Sequence, residues 1–472
     1  MKIAVSLFGA LLVVIGAMLF MQYQVYSDQD IPTNEAYTYS QEIEITYRSG
    51  SLDIRHHFKN LPNDELAIVW PDAAVDKQCF LEAEYSCARL SEDRTAFKAG
   101  ENRSQSISYI IPVEGGLAAR KLVKDVYASL KSGGVQFSTI HISTDSTVNG
   151  QWVTGLPMIG QQALALVNYS MFSGTGQIRD LYWQKSDLAL QKKTDALSLY
   201  AGAGLPADIS GAVDEIPLLG GGHVAVIIGA KPAQQEGSRM LFMPVVTADS
   251  LKKEVLVKQV ESMYDFGDSP LWLKHMVAMH LSGETFGTPR AKTVVEELKG
   301  QLSEAELSDW KSRLEGLMGS KVSPAVLDEE LSEMLGKYTK YFSMNADAEQ
   351  TYPFVYNDRR NVYVGEKKLE DVDVIFYEGE VLYTADALLQ ALGYKTSVGS
   401  NGYYVNSETR AFRFPDDEHG FYVFNQRRYN TVSPPFSIVA GTYYIKEAWL
   451  QRLFLVELQK DEESIRVAAA AQ

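Results

Sequence analysis

Four things are missing from this chain, and each absence removes a class of function. There is no cationic patch: 60 acidic residues against 44 Lys and Arg leave a net charge of -16, whereas a nucleic-acid surface needs clustered cations to release counterions from phosphate. There is no Gly-x-Ser-x-Gly elbow for a serine hydrolase and no Gly-x-x-x-x-Gly-Lys-Ser/Thr phosphate loop. Cysteine is reduced to Cys79 and Cys87. With no third Cys and no His nearby, those two thiols do not make up a metal ligand set.

What is present begins with an address. After Met1-Lys2, residues 3–20 form an uncharged apolar run, close to the roughly 20 residues that a membrane helix needs. Lys2 precedes it and Asp28, Asp30 and Glu35 follow it, so the positive-inside rule puts the rest of the chain outside the cytoplasm. Met21-Gln22-Tyr23-Gln24 is a poor cleavage site, which favours an uncleaved anchor over residues 1–27, with a signal peptide as the alternative. No Cys follows the run, which excludes a lipoprotein. Outside the cell Cys79 and Cys87 are expected to be oxidised to one disulfide, joining two strands that fold over a turn near Ala83.

At 472 residues, 46% hydrophobic, the chain has room for about three cores. Residues 36–116 alternate in the manner of strands, with Ile43, Ile45 and Tyr47, then Leu66, Ile68 and Trp70, then Ile107, Tyr109 and Ile111. Turns at Ser49-Gly50, Pro62-Asn63-Asp64 and Gly100-Glu101-Asn102 separate them, which predicts a β-sandwich. Over 117–131 the spacing of Leu122, Val123, Val126, Tyr127 and Leu130 predicts a helix ended by Gly133-Gly134. Strands are expected again at 135–143, 163–172, 178–184, 223–229 and 239–245. Gly220-Gly221-Gly222 reads as a flexible approach to one of them. In His56-His57 the alternation points the two rings to opposite sides.

Helix signals then take over from 249 to 342: Asp249 caps a helix to Phe266, Ser269-Pro270 opens one to Ser282, and Thr288-Pro289 opens a third. Ser303-Glu304-Ala305-Glu306 is a capping box and Ser323-Pro324 opens the last. Residues 117–346 thus read as an α+β body, and 347–361 as a polar linker.

The final part repeats itself. Leu382-Tyr383-Thr384-Ala385-Asp386-Ala387-Leu388-Leu389-Gln390-Ala391-Leu392 aligns with Tyr443-Tyr444-Ile445-Lys446-Glu447-Ala448-Trp449-Leu450-Gln451-Arg452-Leu453 at a constant offset of 61 residues. Each copy follows an extended segment with a basic turn, at Lys367-Lys368 and Arg427-Arg428, so the unit is strand, turn, strand, short helix. With Leu392-Gly393 closing one helix and Pro434-Pro435 and Gly441-Thr442-Tyr443-Tyr444 laying out the second copy, residues 355–467 resemble the stalk domain, also called the copper amine oxidase N-terminal-like domain. The resemblance implies a two-copy spacer or wall-contacting module over 362–467 on a Gram-positive-type surface. It implies no copper ligand.

A second resemblance lies in the body. A strand from His223 to Gly229, read as an edge strand, a second at Met240-Leu241-Phe242-Met243-Pro244, a helix, and then Trp272-Leu273-Lys274-His275-Met276-Val277-Ala278 together resemble the gluzincins, thermolysin-like zinc peptidases. That family carries His-Glu-x-x-His on one helix and a third ligand on a later one. Here Lys253-Glu254-Val255-Leu256-Val257 stands on the first motif. An ammonium repels the ion and an alkyl group has no lone pair, so only His275 is left as a ligand, against the three that a catalytic zinc needs. His275 and His280, five apart, diverge on a helix.

The expected architecture is therefore multidomain α+β: membrane helix, β-sandwich, gluzincin-like body with a helical array, and two-copy stalk module. The expected function is a membrane-anchored extracytoplasmic binding or scaffold protein with a pseudopeptidase body. It would need no cofactor and no metal, and would contact a peptide or cell-wall ligand. The alternative is an active membrane-bound zinc metallopeptidase with Glu254 as base and His275 as one ligand.

Overall fold

The computed structural model describes residues 37–80, 87–117, 119–185, 188–229, 237–415 and 420–469. The expected anchor at residues 1–27 and the turn near Ala83 lie outside them. Among the described residues no helix is long and apolar enough to cross a membrane. The chain is multidomain α+β and divides into two compact units, one of residues 1–265 with 314–321, the other of 266–313 with 322–472.

In the first unit a seven-stranded sheet runs in the order Met158–Ala163, Val167–Thr175, Gly134–Asp145, Thr38–Arg48, Ser51–Lys59, Gln105–Pro112, Val75–Cys79. Ile43 and Ile45 alternate into the core with Ile54, Ile107 and Ile140, as a half-buried strand pattern requires. Ser49 and Gly50 both take positive φ, 47° and 86°, the two-residue turn whose twist suits a hairpin. The central strand Thr38–Arg48 also pairs in parallel with Gly134–Asp145. The sheet therefore crosses the expected boundary at 116/117, and the core runs on from Tyr39 to Met240, so 36–116 is not a separate sandwich.

Among the described residues of 117–131 the expected helix is absent. Arg120–Val123 is a strand paired with Leu181–Gln184, and Ser129–Leu130 pairs with Leu66–Val69. Asp125 sits at φ 48°, which breaks any helix there. The Tyr109 hydroxyl donates to Val126 O at 3.1 Å and accepts from Ala128 N at 2.9 Å, fixing the intervening backbone. Cys79 and Cys87 are joined in one disulfide. The strand ending at Cys79 pairs with Ile107, while Cys87 enters a turn, so the two cysteines are not on paired strands.

A smaller sheet completes this unit, in the order Ala189–Lys193, Leu197–Ala201, Val224–Ile228, Met240–Met243. The last three strands are parallel, with the helix Ala207–Asp214 in the first crossover. Val224–Ile228 is thus interior, not the edge strand expected from the sequence. The helix Ala248–Met263 follows, capped by Thr247, whose hydroxyl accepts from Ser250 N and whose own N–H reaches Ser250 Oγ.

The second unit opens with helices at the expected places: Leu271–Ser282 after Pro270, Pro289–Gln301 capped by Thr288, and Pro324–Leu335 capped by Ser323. The Ser303 hydroxyl and N–H both meet the Glu306 carboxylate at the start of Glu304–Gly316, as a capping box does. The segment 347–361 is no solvated linker. Tyr352 N donates to Asn345 Oδ1 at 2.8 Å, the Tyr352 hydroxyl meets Thr442 Oγ1 at 2.7 Å, Val355 is buried, and Tyr356–Asn357 adds a strand beside Val374–Tyr377.

Both repeats have the expected strand-turn-strand-helix form, with helices Ala385–Ala391 and Glu447–Phe454. Their strands lie side by side: Tyr383 opposes Ile445, the counterpart of Thr384, while Thr384 opposes Tyr444, the counterpart of Tyr383. That reciprocity is a local two-fold axis. The counterparts Asp386 and Glu447 each accept a tyrosine hydroxyl, from Tyr403 and Tyr383, and Leu388, Leu389, Leu450 and Leu453 share one core.

Candidate functional site

The residues on which metallopeptidase chemistry would depend are engaged in structure. Glu254 lies on the helix Ala248–Met263 with its side chain 44% exposed, beside Lys253 Nζ at 3.3 Å. Val257 is buried. His275 is buried in the helix Leu271–Ser282, and its Nδ1 accepts a hydrogen bond from Thr288 N at 3.1 Å. An accepting Nδ1 is unprotonated and has committed its lone pair, so this neutral ring carries its proton on Nε2. Thr288 is also the cap of the next helix, which makes His275 the support of a helix start. Gly287 permits this approach: it takes φ 90°, and a Cβ there would lie 2.8 Å from the His275 Cβ.

His280 diverges from His275, packing edge-on to Trp310, and burial pushes its pKa down to about 4. His56 and His57 also part: His56 Nε2 meets Gln41 Oε1 at 3.0 Å and His57 Nδ1 meets Ser106 Oγ at 2.9 Å. Among the described residues no three His, Cys, Asp or Glu side chains gather as a metal-holding group. Lys253, Val257 and His275, at the expected ligand positions, do not fit a catalytic zinc.

A different site is built within the first unit. A cavity of about 720 Å³ opens beside the carboxyl end of the helix Ala248–Met263, within the size range of small-molecule sites. Its lining includes the cations Lys124, Arg179, Arg239 and Lys258 against the acids Glu261 and Asp265, a positive excess in a chain of net charge -16. Lys258 Nζ is held by Glu261 at 2.8 Å. Arg179 and Lys124 are exposed.

Arg239 is different: it is only 5% exposed. Its Nη1 donates to Thr175 O at 2.8 Å and its Nη2 to Gly221 O at 3.1 Å. Nε has no partner among the described residues, and burial pushes the pKa down to about 10. Glycines make room for it. A Cβ at Gly155 would fall 2.3 Å from the Arg239 Cβ, and one at Gly176 would fall 3.1 Å from Nη2. The preceding turn is fixed by buried Asp180, which accepts from Ser238 N at 2.6 Å and from Asp125 N at 3.1 Å.

No protein-family model matches the chain, and no curated protein matches its sequence. Solved structures do. A mutant of the M1 zinc metallopeptidase of Deinococcus radiodurans is similar at 12% identity and a TM-score of 0.42, over 68% of this chain and 96% of that one. The same enzyme's mutant bound to a Tyr-Ser-Ala substrate is similar at 12% identity and a TM-score of 0.41, over 66% and 94%. A two-domain M1 zinc metallopeptidase mutant bound to L-arginine is similar at 11% identity and a TM-score of 0.41, over 65% and 92%.

The sequence singled out Glu254 and His275 and passed over Arg239. Two signals pointed to it: a lone arginine directly before the apolar strand Met240–Met243, and a triple glycine whose Gly221 carbonyl, far from being loose, holds the guanidinium.

Proposed function

We propose that this protein is a membrane-anchored, extracytoplasmic binding or scaffold protein of a Gram-positive-type cell surface, without catalytic activity of its own. The observation that carries the reading is the hydrogen bond from Thr288 N to His275 Nδ1: the one imidazole in the expected position spends its lone pair on a helix cap. Glu254 lies beside Lys253 on a half-exposed helix face, where it has the partner of a surface residue and not that of a general base. On this reading the body is a gluzincin-like pseudopeptidase that keeps a binding cleft, and the two-copy repeat is a stalk module that spaces it or contacts the wall. The disulfide between Cys79 and Cys87 suits an oxidising compartment, and the apolar run at residues 3–20 is the anchor. The test is peptide hydrolysis by the full-length chain, wild type and Glu254→Gln. The two proteins are expected to be equally inactive. A peptidase activity that Glu254→Gln abolishes would overturn the reading in favour of a metallopeptidase.

A further inference from the structure

We infer that the cavity around Arg239 is a binding site for a small oxyanion, a phosphate or carboxylate group, with Arg239 as the buried anchor and Arg179 and Lys124 as the rim. This deepens the binding reading above and rests on it. Arg239 is nine-tenths buried and lines the cavity, yet among the described residues it forms no ion pair. Taking a charge out of water costs several kcal/mol unless it is paired, and two backbone carbonyls satisfy only part of a five-donor group. An oxyanion supplies the missing charge, and it is the group that a planar guanidinium recognises best.

The surroundings favour an anion that enters from solvent over a buried internal partner. Asp180, the buried carboxylate of the neighbouring turn, is occupied by the N–H groups of Ser238 and Asp125. Glu261 faces Lys258. Lys124 and Arg179 add positive charge at the exposed side, which draws anions in from solution. Gly155 leaves space for the Arg239 stem and Gly176 for its Nη2, where a Cβ would fall 2.3 Å from the Arg239 Cβ and 3.1 Å from Nη2.

The experiment is isothermal titration of the full-length chain, in detergent at low salt, with inorganic phosphate and separately with N-acetylglycine. Saturable binding of at least one is expected; phosphate alone would assign a phosphate-bearing ligand and N-acetylglycine alone a carboxylate-bearing one. The double variant Lys124→Glu, Arg179→Glu, altered only at exposed positions, is expected to keep its unfolding temperature and bind about tenfold or more weakly. Arg239→Gln is expected to abolish binding; should it fail to fold, the rim variant decides the matter. No binding of either probe up to about 10 mM, or binding that the rim variant leaves unchanged, would overturn the assignment. Bound zinc with peptidase activity would instead overturn the non-catalytic reading and leave the anion site standing.

Discussion

His275 and Arg239 are both almost fully buried, 5% exposed in each case, both polar, and both close-packed against glycine. Gly287 admits the imidazole, Gly155 admits the Arg239 stem and Gly176 its guanidinium. What separates them is what each has left over. The accepting nitrogen of His275 is satisfied by a backbone N–H that had no intrahelical partner, so ring and helix start complete each other. Arg239 gives two hydrogen bonds to carbonyls, and among the described residues neither its charge nor its Nε has a partner. A buried polar group that its neighbours satisfy is structural, while a buried cation with no counter-charge among the described residues is what the proposed anion site rests on.

That contrast can be broken by changing what satisfies each group, and the largest effect should come from acid. His56, His223 and His280 are held neutral by burial, with pKa values pushed down to about 3, about 4 and about 4. An unfolded imidazole takes up its proton near pH 6.5 and these do not, so the stability they contribute is present above pH 6.5 and lost as pH falls towards 4. The loss is on the order of 3 kcal/mol per histidine as an upper bound. Unfolding temperature measured from pH 7 to pH 4 should fall steadily; a flat profile would mean that these rings are solvated.

Next in size is Gly287→Ala. The residue takes φ 90° and its Cβ would fall against the His275 ring, so a loss of roughly 2–4 kcal/mol is expected in denaturant unfolding. A neutral result would sink the claim that this turn is built around His275. Replacing Cys79 and Cys87 by serine opens a loop whose ends are 8 residues apart, worth about 2–3 kcal/mol by chain entropy. The same loss should follow from reducing agent on the wild-type protein. Smallest is His275→Gln, whose side-chain oxygen can accept from Thr288 N in place of the ring. It should cost about 1 kcal/mol less than His275→Ala, which leaves that N–H without its acceptor.

How much of this was legible in the sequence follows from the range of the interactions. Helix starts are local, and Thr288-Pro289, Ser303 with Glu306, and Ser323-Pro324 each sit where the chain enters a helix. The repeat is local twice over, and its copies meet across Tyr383 and Tyr444. The expected helix at 117–131 failed because its apolar spacing suits a helix, while the pairing of Val123 with Leu181 and the reversal at Asp125 arise from partners and backbone that spacing does not encode. The sandwich boundary failed for the same reason, since Thr38–Arg48 takes a parallel partner at Gly134–Asp145. The candidate site was the least legible of all. Arg239 acquires its character from Thr175, Gly221 and Gly155, three positions that no motif joins.

The most direct test of the contrast is the zinc content, by mass spectrometry, of the full-length chain purified in detergent without chelator and re-exposed to zinc. The account expects no bound metal, because His275 has committed its Nδ1 and the positions of Lys253 and Val257 offer no ligand. Near-stoichiometric zinc would contradict it, and would make His275 a ligand through Nε2 instead of a helix support.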